Sequence, residues 1–482
     1  MTLCTPERIL GICEQERVTR VRAAGFNASG LPDEALDELL RRSSHARGDI
    51  AAYALAESAP APGGIVPLRI EHHFAHACSA FLPSGFDSAT IVVCDHEDPQ
   101  VSLWEGSGTT ISRIDWPWQG IGFAELYSQC AHALGFTAAG REQRMEALAR
   151  LEPGYCDELA TRLFDLDTDR LSVANDWRAR VDAWVGDRIG QHTAPIAAAL
   201  QSRISDLLIE FLAAVRRRAP SQGRLCVGGS LFYNSHVNTQ VKQRGGFDRV
   251  FIPVNPGNAG LSVGVALHVS GSGRGPVTPF LGPAYTAEDI KATLDNCKLT
   301  YQWASESETI GIAVEALKKG RLVAWFDGAM EWGARALGAR SILASPFAPY
   351  ALDNLNCFLK QREGWRGYAL SGLTEAVRET FDGPADSPYM ECDYRPRDPA
   401  RFRHILPSQK AAVRVQTVGA DAPPRFRALL EEFGRTEGLP ILVNTSFNGF
   451  REPIVCSPRD AIRVFFGTGS DVLVFGQFVL AK

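Results

Sequence analysis

The chain has 482 residues, of which 45% are hydrophobic and 22% charged, and carries a formal net charge of −5. Its length suits two to four domains at the usual about 100 to 200 residues each, and no apolar run approaches the roughly 20 residues that a membrane-spanning helix needs. The acid excess argues against a broad nucleic-acid-binding surface, and eleven cysteines without a C-x-x-C pair argue against a disulfide framework or a zinc knuckle. Reduced thiols, small-molecule partners, no membrane and a cytoplasmic location are the expectation, because the start at Met1-Thr2-Leu3-Cys4 lacks the basic-then-apolar pattern of a secretory signal.

In chain order, Arg8-Ile9-Leu10-Gly11-Ile12 reads as a first strand. Further on, Glu71-His72-His73-Phe74-Ala75-His76-Ala77 places His72 and His76 on one helix face. The apolar run from Ala89 to Cys94 reads as a buried strand that delivers Asp95 to them. Two imidazoles and a carboxylate make an open metal site for a borderline divalent ion such as iron or zinc, with positions free for water or substrate. The same spacing also fits histidines with ordinary hydrogen bonds, and by itself it does not choose between the two.

Residues 89–95, 100–105 and 109–116 predict a meander of three strands. Ile204, Leu207, Leu208, Phe211, Leu212 and Val215 predict a helix over about 195–218, whose closing Arg216, Arg217 and Arg218 complement the helix dipole and receive no function. Residues 224–227 form a strand running into Gly228-Gly229-Ser230 and on to Asn234, where the missing Cβ atoms let backbone amides approach an anion or nucleotide. Asn255 to Leu261, with Asn258 inside it, is a second small-residue turn, and the pair suggests a nucleotide cleft. Gly271-Ser272-Gly273-Arg274-Gly275-Pro276 has the composition of a linker.

Beyond it, residues 321–326 read as a strand followed by Arg335, Arg340, Lys360, Arg362, Arg366 and, later, Arg414, with few acids among them. Guanidinium forks match phosphate oxygens, so the set suits a polyphosphate or acyl-phosphate pocket, with a solvated basic face as the competing reading. A strand over 440–443 leads to Asn444-Thr445-Ser446-Phe447-Asn448, and Ser457 with Pro458 caps a last helix.

Taken together, His72-His73-Phe74-Ala75-His76-Ala77, Gly228-Gly229, the stretch from Glu331 to Ser341, Asn444-Thr445-Ser446-Phe447-Asn448 and Glu452-Pro453-Ile454-Val455 resemble the O-carbamoyltransferases of antibiotic and nodulation-factor biosynthesis, in the same order along the chain. The resemblance implies an α/β protein in two parts. Residues 1–270 correspond to a Kae1-like, actin/Hsp70-type transfer domain, 271–285 to a linker and 286–482 to a YrdC-like α/β domain. The latter makes carbamoyl adenylate from ATP, with Mg, and carbamoyl phosphate. In the former, Fe(II) or another divalent metal holds the adenylate while a hydroxyl or amine of a small natural-product acceptor attacks and AMP leaves.

Carried over by the same resemblance, His72, His76 and Asp95 fall on the metal ligands. Gly228, Gly229, Asn234 and Asn258 fall beside the nucleotide. Arg335, Arg340, Ser341, Lys360, Arg366, Arg414, Asn444 and Ser446 fall on the ATP and carbamoyl-phosphate site, with Lys360, Arg366 and Asp95 in catalytic roles. This favours phosphate binding for the cations. No nucleic-acid partner is implied.

The sequence departs from the family mainly in its first half. Members usually begin with a strand and a Gly-His-Asp turn, whereas this chain starts near the next strand, so that first strand and one wall of the transfer site are expected to be missing. The glycine-rich hairpin after Asp95 is replaced by His96-Glu97-Asp98-Pro99, and Asn258 stands where many members have a metal-binding aspartate, an amide being the weaker ligand. An Asp-Glu-Gly-Lys segment has become Arg141-Glu142-Gln143-Arg144-Met145, and Arg451 replaces a glycine. Glu97, Asp98, His73 and His96 are candidate general bases by nearness in sequence. Two rival expectations follow from the departures. One is a chain that makes carbamoyl adenylate but uses it in another reaction; the other is a non-catalytic nucleotide-binding regulator, which the retained cations disfavour.

Overall fold

β-Branched and apolar residues make Ser88–Cys94 a strand buried on both faces, and the first half of the molecule is arranged around it. In the computed structural model, residues 1–152, 161–218, 223–271 and 274–482 are described; Cys156 and the Ser272-Gly273 pair of the predicted linker lie outside them. Ser88–Cys94 pairs antiparallel with Val101–Ser107, which pairs antiparallel with Thr110–Ile114, forming the predicted meander. On its other edge Arg224–Gly228 runs parallel to it, followed by Arg249–Phe251, also parallel. Three meander strands extended by two parallel ones make one five-stranded mixed sheet.

The side-chain alternation of the central strand sets the layers. Ile91 and Val93 face the helix His72–Phe81 and the helix Leu261–Ser270, while Val92 and Cys94 face the helix Ala194–Arg218. That long helix carries the apolar stripe read from the sequence. Its terminal Arg218 lies over the Trp116 ring at 4.6 Å, consistent with a structural role.

The second half is a ten-stranded mixed sheet. At its centre Arg340–Ala344 lies antiparallel between Val323–Phe326 and Ile441–Ser446, bringing Ser341 opposite Ser446. Toward one edge follow Ala369–Leu373, Val413–Val418 and Cys392–Pro396. Helices Glu306–Lys318 and Pro458–Gly467 each begin with a reciprocal capping box, the latter using Ser457 and Pro458 as the sequence predicts.

Two expectations change. The stretch from Arg274 onward is a strap, not a free linker. Arg274 donates to Phe86 O at 2.8 Å and Gly275 N to Leu82 O at 3.1 Å, while Thr278 O accepts from Trp332 Nε1 at 3.0 Å, so both halves satisfy its backbone. At the N-terminus, Ile9–Ile12 does form a strand, but Thr2–Cys4 precedes it as an antiparallel partner.

The halves also meet directly. Helix Ser235–Arg244 docks on the strand Cys392–Pro396 through Thr239 Oγ1, which receives the Asp393 N–H at 2.8 Å and donates to Asp393 O at 3.1 Å. Lys242 pairs with Glu391 at 2.9 Å across the same seam. Among the described residues, no helix is long and apolar enough to cross a membrane.

Candidate metal centre and phosphate-binding residues

Glu71 caps the helix His72–Phe81 by accepting the His73 and Phe74 N–H groups, and one turn of that helix then places His72 and His76 side by side. Asp95 reaches them from the end of the central strand, and all three are buried. His72 Nε2 is 3.0 Å from Asp95 Oδ2 and 3.2 Å from His76 Nε2, which is 3.4 Å from Asp95 Oδ2. Donors about 2.0–2.2 Å from one shared ion stand about 3.0 Å apart at right angles and about 3.4 Å apart tetrahedrally. The donor set and its spacing therefore fit a divalent metal. Asn258 Oδ1, 3.2 Å from His76 Nε2, adds a neutral oxygen on the exposed side.

The surroundings orient these donors. His72 Nδ1 meets Ser58 Oγ at 3.1 Å and Glu97 Oε2 at 3.4 Å, which turns Nε2 toward the other ligands. Ser230 donates to Asp95 Oδ1 from its backbone N at 2.9 Å and from Oγ at 2.5 Å. Burial works against the charge of Asp95, but these bonds and the two imidazoles hold its carboxyl far below the usual carboxylate range. Burial likewise opposes protonation of His72, yet Asp95 and Glu97 leave its pKa raised.

Gly228 and Gly229 serve this packing. A Cβ on Gly228 would stand 3.1 Å from His76 O, and one on Gly229, at φ +101°, would stand 2.1 Å from Cys94 O. The turn thus brings Ser230 under Asp95. Asn234 caps the helix Ser235–Arg244 through Val237 N and donates to Gln201 Oε1 at 3.2 Å.

Of the candidate bases, His73 is tied between Ser102 Oγ at 2.7 Å and Glu97 O at 2.9 Å, and burial pushes its pKa down. His96 is tied to Ser230 Oγ at 2.8 Å and Ser128 Oγ at 2.9 Å, while Asp98 is exposed. Glu97 alone of the four lines a cleft of about 1060 Å³, together with Ser58 and Asn258 and the apolar side chains of Leu3, Tyr53 and Val265.

The cations of the second half divide into three groups. Lys360 ends the helical turn Asn354–Lys360 and donates to Ser446 O and Asn448 Oδ1, both at 2.6 Å. Burial, and then nearby Arg362, push its pKa well down. Arg366 is half-buried near Glu363 at 3.9 Å, and burial with Arg362 brings its pKa down to about 10. Beneath them, Asn444 Nδ2 donates to Ala336 O at 3.1 Å and Ser371 Oγ at 2.9 Å, and the buried Ser341 Oγ and Asn444 Oδ1 make no hydrogen bond.

Arg340 stands apart, contrary to the expectation that it shares the phosphate site. It is fully buried, stacked 3.5 Å over Phe326, and donates to the carbonyls of Asp327, Ala339, Pro283 and Gly328 at 2.9–3.1 Å. These bonds close the strap and the strand ends around it. Arg340→Met should therefore cost about 3 kcal/mol in chemical denaturation, from unpaired buried carbonyls, with nucleotide affinity of the folded protein unchanged.

The third group lies at the seam between the halves. Arg335, half-buried, donates to Tyr233 O at 3.3 Å, and its loop is held by Glu331 Oε1, which accepts from Leu337 N at 2.7 Å. Arg414 reaches Glu146 from the second half, with Nη2 3.2 and 3.1 Å from the two carboxylate oxygens. Sequence reasoning missed Glu146; the signal available was only its i,i+4 spacing to Arg150, with which it pairs.

Burial disfavours the charge of Glu146, but Arg150, Arg414 and Arg335 bring its pKa down to about 2 from the ordinary 4.5. In the unfolded chain the carboxyl takes up its proton near the ordinary value, so acid protonates the unfolded state first. The cluster thus contributes about 3 kcal/mol above pH 4.5, falling away as the pH drops toward about 2. Acid-dependent unfolding of wild type and Glu146→Gln should show a constant difference above this window and a shrinking one within it.

The carbamoyltransferase N-terminus family profile matches residues 66–267, and the carbamoyltransferase C-terminus profile matches residues 314–482. An uncharacterized protein of Synechocystis sp. is 33% identical over 469 residues, spanning 86% of this chain and 76% of the relative. The nodulation protein NolO of Bradyrhizobium diazoefficiens is 29% identical over 86% of this chain and 79% of its own length. A 3'-hydroxymethylcephem-O-carbamoyltransferase of Streptomyces clavuligerus is 31% identical over 56% of this chain and half of its own.

Proposed function

The chain belongs to the carbamoyltransferase family and is a transferase, and on that premise we propose that its second half forms carbamoyl adenylate and its first half passes the carbamoyl group to a hydroxyl of a small acceptor. ATP, carbamoyl phosphate and water would yield carbamoyl adenylate, pyrophosphate and phosphate. In the second step the acceptor oxygen bonds to the carbamoyl carbon, the bond to AMP breaks, and the hydroxyl proton is released.

The observation that most supports this reading is how short the path is between the two candidate centres. The turn Ser230–Tyr233 holds Asp95 through Ser230 at one end and accepts Arg335 at the Tyr233 carbonyl at the other. Arg335, Arg366 and Arg414 carry the positive charge that phosphoryl groups need, and Lys360 offers a desolvated amine that donates to the Ser446–Asn448 loop. His72, His76 and Asp95, with Asn258, are the residues that would hold a divalent metal. Such a metal would polarise the carbamoyl carbonyl and stabilise the charge that develops on its oxygen. Glu97 faces the cleft beside them, where an acceptor would enter.

The test is to supply the purified protein with ATP, Mg and carbamoyl phosphate and follow pyrophosphate. Release that requires both co-substrates, together with carbamoyl adenylate in the quenched mixture, is the expected result. Pyrophosphate release without carbamoyl phosphate, or none at all, would sink the reading.

A further inference from the structure

The carboxylate of Glu146 sits in surroundings suited to a phosphoryl anion. It enters on the helix Arg141–Ala149 and accepts from Ser235 N at 2.8 Å and Ser235 Oγ at 2.7 Å, at the start of the ten-residue helix Ser235–Arg244. The guanidiniums of Arg150 and Arg414 converge on the same oxygens. Arg335, held at Tyr233 O two residues before Ser235, interacts with the cluster through its charge, and Asp393, 2.9 Å from Arg150 Nε, is the second acid. Two guanidiniums thus contact the two carboxylates, and Arg335 adds a third positive charge to their field.

Space tells the same story. Between this cluster and the Ser230 that holds Asp95 lies a cavity of about 40 Å³, lined by His96, Glu142, Glu146, Ser230, Tyr233 and Asn234. That is room for about one water molecule and too little for a phosphoryl group. The Glu146 carboxylate borders this space and takes up donors on Arg414 and Ser235 that a phosphoryl oxygen would use.

We propose that Glu146 is a positioning residue that stands in for a phosphoryl group, so that phosphoryl ligands bind Arg335 and Arg414 in competition with its carboxylate. The inference rests on the reading of Arg335 and Arg414 as phosphate-binding residues. Its consequence is a site that orients its guanidiniums before the ligand arrives and loosens its hold on released phosphate or pyrophosphate. A Glu146 that only latches the halves together would affect folding and leave anion affinity alone.

Calorimetric titration of the full chain with pyrophosphate and, separately, inorganic phosphate tests this. Glu146→Gln keeps the shape and removes the charge, and should tighten binding about tenfold; Glu146→Asp, which draws the carboxylate back by one methylene, should tighten it about threefold and remains informative if the glutamine variant does not fold. Tightening for pyrophosphate alone assigns the site to the leaving group of ATP, and tightening for phosphate alone to that of carbamoyl phosphate. Arg414→Gln should erase the gain. Unchanged or weaker binding of both anions in folded Glu146 variants overturns the proposal by itself. Binding that ignores Arg414 in every form overturns the reading beneath it as well.

Discussion

Replacing Asp95 with asparagine is expected to weaken divalent-metal binding at least about a hundredfold while the protein stays folded. The asparagine carbonyl can still accept from Ser230 N and Oγ, now 2.9 and 2.5 Å from Asp95 Oδ1, so the turn keeps its anchor. What is lost is the only negative charge among His72, His76, Asp95 and the neutral Asn258. A divalent ion in a buried site depends on that charge, and loss of an inner ligand exceeds the about 10- to 100-fold cost of losing an outer-shell partner. Competition against a chromophoric chelator measures it. Equal affinity in the variant would show that the trio is an ordinary hydrogen-bonded cluster.

Gly229→Ala should cost about 4 kcal/mol or more. The residue has φ +101°, outside the range alanine accepts, and the new Cβ would lie 2.1 Å from Cys94 O and 2.5 Å from Cys94 C. Both neighbours are backbone, so no side chain can rotate away. The strand Ser88–Cys94 and the turn after Arg224–Gly228 would have to separate, drawing Ser230 off Asp95. Denaturant unfolding at fixed metal concentration gives the cost, and a wild-type midpoint would contradict the described turn.

Much of the first half follows from local pattern. The i,i+4 spacing of His72 and His76, the run that ends at Asp95 and the apolar stripe from Ile204 to Val215 each express a period that one helix or strand imposes, and each is found where that period puts it. Features set by distant partners were not legible. Ser58 comes from a segment without periodicity, and Glu146 meets Arg414 across 268 positions. Arg340 illustrates the limit differently. It lies five residues after Arg335 in one cationic motif, yet it begins a buried strand, and the strand turns its guanidinium inward to carbonyls while Arg335 remains on the loop at the seam. Composition made the residues after Gly271 a linker; hydrogen bonds to both halves make those from Arg274 onward a strap.

The division of labour between the halves is the central claim, and one measurement meets it directly. Wild type and Asp95→Asn are each given ATP, Mg and labelled carbamoyl phosphate with metal, and carbamoyl adenylate, AMP and carbamoylated acceptor are quantified from a panel of hydroxylated small molecules. Asp95 belongs to the first half, so carbamoyl adenylate should form at the wild-type rate in the variant while acceptor-dependent AMP release falls at least about a hundredfold. Adenylate formation lost together with transfer, or transfer untouched by the substitution, would contradict the account.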